Sequence, residues 1–172
     1  FSRDTDYLLE HTAPYFFTPP KFDRALVIGT GGGQDVYFAL RGGAQAGDGV
    51  EINPTTWRLL LDEYRHAAND LMLAPNVNAY REDGRSFVRN TKHEYGVIVI
   101  NLIDTFAALN AGAYMLSENY LYTVEAVVDY LDRLTPDGIL SITRWHHFAE
   151  SPRLFALCLE ALYAAGFENP EQ

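Results

Sequence analysis

The stretch Ala25–Leu26–Val27–Ile28–Gly29–Thr30–Gly31–Gly32–Gly33–Gln34–Asp35, taken with Val50–Glu51–Ile52–Asn53–Pro54, decides the fold. Ala25 to Ile28 is a short, uninterrupted apolar run that stops at glycine, the pattern of a strand buried on both faces of a parallel sheet. A helix is predicted from about Gln34 to Arg41. The glycines therefore span a strand-to-helix turn, the place where a doubly wound sheet opens its ligand crevice. The next strand is expected to end at Val50, Glu51 and Ile52. Pro54 then falls in the first turn of a helix, where its missing N–H is not needed. Trp57, Leu60, Leu61, Tyr64, Ala68 and Leu71 follow at three-and-four spacing, which predicts one buried helical face.

Outward from this stretch the alternation repeats. A third strand fits Val77 to Arg81, a short helix follows Asp83–Gly84, and the strongest strand pattern is Val97 to Asn101. Leu102 to Gly112 reads as a loop. Ser117 stands before a helix whose stripe is Tyr120, Val124, Val127, Val128, Leu131 and Leu134. Pro136–Asp137–Gly138 turns into a fifth strand, Ile139 to Thr143, and a last helix runs from about Pro152 to Ala165, with Gly166 as its stop. The order βαβαβαβαβα predicts an α/β fold of three layers, Rossmann-like, with a doubly wound and mainly parallel sheet. Residues 1–24, which contain Pro14–Tyr15–Phe16–Phe17–Thr18–Pro19–Pro20, read as a lead-in segment, and residues 25–172 as the domain. Because the sequence opens at Phe1 and stops soon after a helical pattern, the expectation is a segment of a longer chain, truncated at its C-terminal side.

Composition narrows the function. At 172 residues the chain is long enough for one domain, given about 100–200 residues per domain. Thirteen Lys and Arg against 23 Asp and Glu leave a net charge of −10, without the basic surface that nucleic-acid binding requires. Nucleic acid is therefore not an expected partner. The apolar run Tyr95 to Ile103 is about half of the roughly 20 residues that cross a bilayer, so no membrane contact is expected from this segment. No signal peptide is read. Cys158 is the one cysteine and can form neither an internal disulfide nor a cysteine-based zinc site, which suits a reducing, cytoplasmic setting. Amid Leu154, Ala161, Leu162 and Ala165 it is expected to be a buried, inert thiol. His146 and His147 are adjacent in an extended segment and point to opposite sides, so no metal site is expected.

Glu51 follows Gly31 by 20 residues and closes the second strand, where a carboxylate can accept hydrogen bonds from two vicinal ribose hydroxyls. Glycine turn and carboxylate together point to a nucleoside-containing ligand. Nicotinamide dinucleotides and S-adenosylmethionine share these features. Asp83 would face Glu51 across the crevice and accept from an adenine amine, with Gly84 keeping the floor open. Asn101 and Asp104 come at the end of the fourth strand, the rim where a ligand's reactive end would lie.

The ordered set ALVIGTGGGQD, VEINP, EDGRSF, YGVIVINLID and LYTVEAVVDYLDRLTPDGIL, over residues of about 20 to 145, resembles the class I S-adenosylmethionine-dependent methyltransferase fold. Within it the chain is most similar to the spermidine synthase (polyamine aminopropyltransferase) branch. The resemblance implies that Gly29, Gly31 and Gly33 line the methionine side of the cofactor, that Glu51 holds the ribose, that Ile52 packs on the adenine and that Asp83 binds its amine. It implies S-adenosylmethionine or its decarboxylated form as cofactor, and transfer of a methyl or aminopropyl group to a small-molecule acceptor, with an amine as the candidate. Two positions depart from the family. Gly32 stands where its loop carries an aspartate for the aminopropyl amine, and Asn101 stands where it carries the aspartate that deprotonates the nucleophile. An amide cannot serve as a base, which leaves Asp104 as the catalytic candidate, with Tyr114 or His146 beside it. A non-catalytic nucleoside-binding domain of a larger protein is the alternative, and an NAD-dependent oxidoreductase the third. The oligomeric state is not legible, and a dimer is allowed.

Overall fold

A computed structural model of the protein describes residues 22–66, 70–101, 103, 120–144 and 150–170. Five strands, β1 (Arg24–Ile28), β2 (Ala46–Val50), β3 (Val77–Tyr80), β4 (Tyr95–Asn101) and β5 (Leu134–Thr143), form one sheet in the order β3-β2-β1-β4-β5. Every pairing is parallel. Side chains that alternate along β1 and β4 feed two separate cores. Ala25, Val27, Val97 and Val99 pack with Phe38, Leu60 and Met72 on one face. Leu26, Ile28, Ile98 and Ile100 pack with Phe87, Val127 and Tyr130 on the other. Both faces are covered, and each such apolar side chain removed from water contributes about 1.5–3 kcal/mol. That is why the central strands read as unbroken apolar runs rather than alternating ones.

Helix α1 (Gln34–Arg41), the turn Leu59–Glu63 that continues α2 (Pro54–Arg58), and the 3₁₀ turn Leu71–Leu73 cover the first face. Helices α3 (Gly84–Asn90), α4 (Val124–Leu131) and α5 (Glu150–Ala164) cover the second. The three-layer, doubly wound architecture expected from the sequence is the one observed. Its sheet starts at Arg24, one residue ahead of the domain boundary drawn above.

Four local expectations are corrected. Asn53 caps α2 by accepting from Thr55 and Thr56 N–H at 2.9 and 3.4 Å, but the helix then widens into a π turn over Leu59–Glu63, where Tyr64 N–H bonds back to Leu59. The wider turn rotates the apolar stripe off its face, so Leu60 is buried while Tyr64 is 62% exposed. Ala68 lies outside the described residues. Helix α4 starts later than expected, because Thr123 is its cap and accepts from Ala126 N–H at 3.1 Å. Tyr120 therefore precedes the helix and Leu134 opens β5; Ser117 lies outside the described residues. In β5 the register steps from Tyr95 opposite Leu134 to Val97 opposite Ile139, so the Pro-Asp-Gly turn is an irregularity inside one longer strand. Cys158 is half-buried rather than buried, and burial pushes its thiol pKa up. As expected, Gly166 (φ 93°) stops α5, with Phe167 N–H returning to Leu162 O at 3.0 Å.

A charged group lies at the centre of the sheet. Asp48 on β2 is fully buried and accepts from Arg24 Nη1 (2.7 Å), Asn78 Nδ2 (2.8 Å) and the Tyr95 hydroxyl (2.8 Å). Donors from β1, β3 and β4 thus converge on one carboxylate, which satisfies a charge that could not otherwise be buried. Among the described residues, no helix is long and apolar enough to cross a membrane, and no group of three or more His, Cys, Asp or Glu side chains could hold a metal ion.

Candidate active site

From β1 the chain leaves toward β2 on one side and later returns to β4 on the other, so the sheet's ligand crevice lies at the C-terminal ends of β1 and β4. The glycine loop enters it directly. Gly29, Gly31 and Gly33 have φ of 74°, 49° and 83°, left-handed values that strain any residue with a Cβ. What they face differs. A Cβ at Gly29 would come 2.9 Å from Ile103, and one at Gly33 would touch Leu71 and Leu60 at 3.5 and 3.7 Å. At Gly31 and Gly32 it would meet nothing within 4 Å. The loop therefore opens at Gly31–Gly32, whereas Gly29 lies under Ile103 and Gly33 packs inward at the start of α1. Of the three glycines expected to line a ligand, the structure leaves Gly31 open to one.

Glu51, just past β2, is buried. Its Oε2 accepts from Gly31 N–H at 3.1 Å and its Oε1 from Asn53 N–H at 2.8 Å. The carboxylate is thereby clamped beside the opening, and each oxygen keeps a second lone pair. The neighbouring Ile52 is 64% exposed, an apolar side chain standing free at the same edge.

Asp83 is less free than the sequence suggested. It caps α3, and its Oδ1 accepts both Ser86 N–H (2.8 Å) and the Tyr120 hydroxyl (2.6 Å). Burial pushes this carboxyl up, but the bonds from Tyr120 and Ser86 outweigh it and hold its pKa below the ordinary value. A group depressed in this way stabilises the folded state above its unfolded pKa, near 4, and that contribution is lost as pH falls through the lower folded value. Tyr120→Phe removes one of the bonds, so the acid titration of Asp83 is expected to move upward, as read by carboxyl ¹³C NMR. An unchanged midpoint would mean that the hydroxyl does not hold the carboxylate in solution. Gly84 also has a different role from the one expected. It is buried, and a Cβ there would run into Ile28, so its small size lets α3 close on β1 rather than opening a ligand floor.

Sequence reasoning missed the support beneath Asp83. Arg85 is buried, donates from Nε to Asp129 at 2.9 Å and from Nη1 to Tyr120 O at 3.1 Å, and its guanidinium stands 5.1 Å from the Tyr120 ring centre. Arg89 Nε shares Asp129 at 2.9 Å. No local signal marks a buried arginine whose partner lies 44 residues away. At the other side of the crevice, Asn101 Nδ2 donates to Asp35 Oδ1 at 3.0 Å, which joins the end of β4 to the first turn of α1. Asp104, Tyr114 and His146 lie outside the described residues.

Sheet order, glycine turn, carboxylate after β2 and carboxylate at the head of α3 together define the class I methyltransferase-like Rossmann fold. Among solved structures the chain is similar to spermidine synthase from Thermotoga maritima (TM-score 0.68, 21% identity, 92% of this chain and 50% of that one). It is also similar to a spermidine synthase in complex with the transition-state analogue AdoDATO (TM-score 0.63, 19% identity, 93% and 49%). A third similar structure is a SAM-dependent methyltransferase from Agrobacterium tumefaciens (TM-score 0.61, 13% identity, 94% and 51%). In sequence it is 32% identical over 127 residues to the polyamine aminopropyltransferase of Alkaliphilus oremlandii, which covers 72% of this chain and 40% of that protein. No family model matches the chain. It thus spans less than half the length of this curated relative and about half that of the spermidine synthases.

Proposed function

We propose that this chain is the donor-binding domain of a transferase that takes S-adenosylmethionine, or its decarboxylated form, at the C-terminal edge of the sheet and passes a methyl or aminopropyl group to a small nucleophile, with an amine as the candidate. The observation that carries this reading is the buried Glu51 carboxylate bonded to Gly31 across the mouth of the crevice. It sets a pair of acceptors beside Gly31 and Gly32, where the loop is open. A ribose with two adjacent hydroxyls fits those acceptors, and the exposed Ile52 offers an apolar surface for the attached base. Likeness to the spermidine synthases and to the A. oremlandii enzyme supports the same assignment. Asp83 remains the proposed acceptor for the adenine amine, with Tyr120 orienting it.

The sulfonium of the donor supplies its own leaving group. As the new bond to the nucleophile forms, the carbon–sulfur bond breaks with its electron pair going to sulfur. The protein's part is to hold donor and nucleophile in line and to remove one proton. We assign proton removal to Asp104. Cytoplasmic residence is part of the same proposal.

Calorimetric titration with S-adenosylmethionine, its decarboxylated form, S-adenosylhomocysteine and NAD tests the ligand. Binding of NAD with no response to the sulfur nucleosides would overturn the reading. Incubation with labelled donor and a panel of amines then tests transfer. A second reading, a non-catalytic nucleoside-binding domain, is favoured by one observation: the amide of Asn101 closes β4 and is turned toward Asp35. Saturable donor binding without any product would select it.

A further inference from the structure

We infer that Arg85 is a positioning residue for the specificity of the site: its guanidinium fixes Tyr120, and Tyr120 decides which oxygen of Asp83 is offered to the base. The inference rests on the reading of Asp83 above as acceptor for the adenine amine. Oδ1 of Asp83 accepts from Ser86 N–H at 2.8 Å and from the Tyr120 hydroxyl at 2.6 Å. A carboxylate oxygen has two lone pairs, so both are taken and a further donor is directed to Oδ2. The Ser86 bond is local, part of the cap of α3. The Tyr120 bond is not. Tyr120 lies ahead of α4, whose cap is Thr123, so no helix fixes its place. Arg85 holds it at two points. Nη1 donates to the Tyr120 carbonyl at 3.1 Å, and the guanidinium stands 5.1 Å from the ring centre, within cation–π range. Nε donates to Asp129 on α4 at 2.9 Å, so the side chain ties α3 to α4 as well as to Tyr120. A rigid fork of donors can serve carboxylate and carbonyl at once, which a single ammonium cannot do in the same geometry. The bond to Asp83 raises the Tyr120 pKa, so the hydroxyl remains a donor at neutral pH.

Two nucleosides titrated against the full chain test this arrangement: methylthioadenosine, and its analogue with hydrogen in place of the exocyclic amine. The ratio of their dissociation constants reports the amine contact. Arg85→Met keeps the length and apolar stem of the side chain, and Asp129 retains Arg89 at 2.9 Å, so the variant is expected to fold. Arg85→Lys, which keeps the charge but not the fork, is the second variant. Circular dichroism and thermal melts check the folding of each.

Wild type is expected to prefer methylthioadenosine by about tenfold or more, the scale of one hydrogen bond to a charged group. Asp83→Asn should abolish the preference, because Ser86 and Tyr120 hold the amide oxygen and leave Nδ2, a donor, facing the amine. Arg85→Met, Arg85→Lys and Tyr120→Phe should each lower the ratio by about threefold or more, as a misdirected rather than deleted acceptor does. Arg85→Met combined with Tyr120→Phe should lower it no further than Tyr120→Phe alone, since Arg85 acts through that hydroxyl. A wild-type ratio in both Arg85 variants, whatever their melting temperatures, would overturn the inference and leave the Asp83 reading standing. Losses that add in the double variant would overturn it too. Equal affinity of wild type for the two nucleosides, binding of neither, or a wild-type ratio in Asp83→Asn would remove the Asp83 reading and this inference with it.

Discussion

Glu51→Ala is expected to weaken donor binding about a hundredfold while the protein stays folded. Hydrogen bonds to a charged group are worth about 1.5–3 kcal/mol each, so two from a ribose diol amount to at least about 3 kcal/mol, or two decades in Kd. The substitution also frees Gly31 N–H and Asn53 N–H, which the carboxylate now holds at 3.1 and 2.8 Å, so the glycine loop loses its tie to β2. Both effects act on binding. The loop lies at the crevice mouth, where water can take up the released N–H groups, so little global stability is lost. Glu51→Gln should fall almost as far, because its amide must turn a donor toward one of the two backbone donors. Ile52→Ala is a useful contrast. It removes only an apolar contact of about 1 kcal/mol, or roughly fivefold. Isothermal titration of the three variants with S-adenosylmethionine gives the order directly, and wild-type affinity in Glu51→Ala would remove the foundation of the proposed site.

The largest effect on stability is expected from Asp48→Ala. Asp48 is completely buried, and its removal leaves the Arg24 guanidinium, the Asn78 amide and the Tyr95 hydroxyl without their common acceptor. Breaking a buried ion pair from one side costs about 3–5 kcal/mol, a large share of the roughly 5–15 kcal/mol that a domain has in total. Tyr95→Phe removes a single donor and should cost about 1 kcal/mol. Burial pushes the Tyr95 pKa up, so the hydroxyl keeps its proton and remains a donor throughout the neutral range. Urea unfolding checks the pair of variants. Similar midpoints for Asp48→Ala and wild type would show that the network contributes nothing to folding.

Much of the architecture was legible because its signals are local. Ala25 to Ile28 and Val97 to Ile100 are apolar runs that only a strand covered on both faces explains, and α1 falls on the predicted span Gln34–Arg41. Where the reading slipped, a competing local bond had prevailed. Thr123 caps α4, so the helix begins after Tyr120, and the π turn at Leu59–Glu63 rotates the stripe that three-and-four spacing assigns to one face. The site was legible in outline only. Glu51 follows β2 and Asp83 heads α3, positions that the order of strands and helices implies, but their surroundings could not be read. Gly84 reads as an opening in the sequence and is a close contact with Ile28 in the fold. Tyr120 matches the spacing of a helical stripe, but in the fold it precedes the helix and donates to Asp83.

Chain pattern alone settles the order of strands and helices, the glycine turn after β1 and the carboxylate that follows β2, since each rests on residues within a few positions of one another. Which polar groups remain available to a ligand is decided only when the sheet closes. Asp83 meets Tyr120 from 37 residues away, Asp35 meets Asn101 from 66, and Asp48 gathers donors from three strands. A hydrogen bond depends on positions in space, and these partners become neighbours only through the parallel crossovers that bring β1, β2, β3 and β4 side by side.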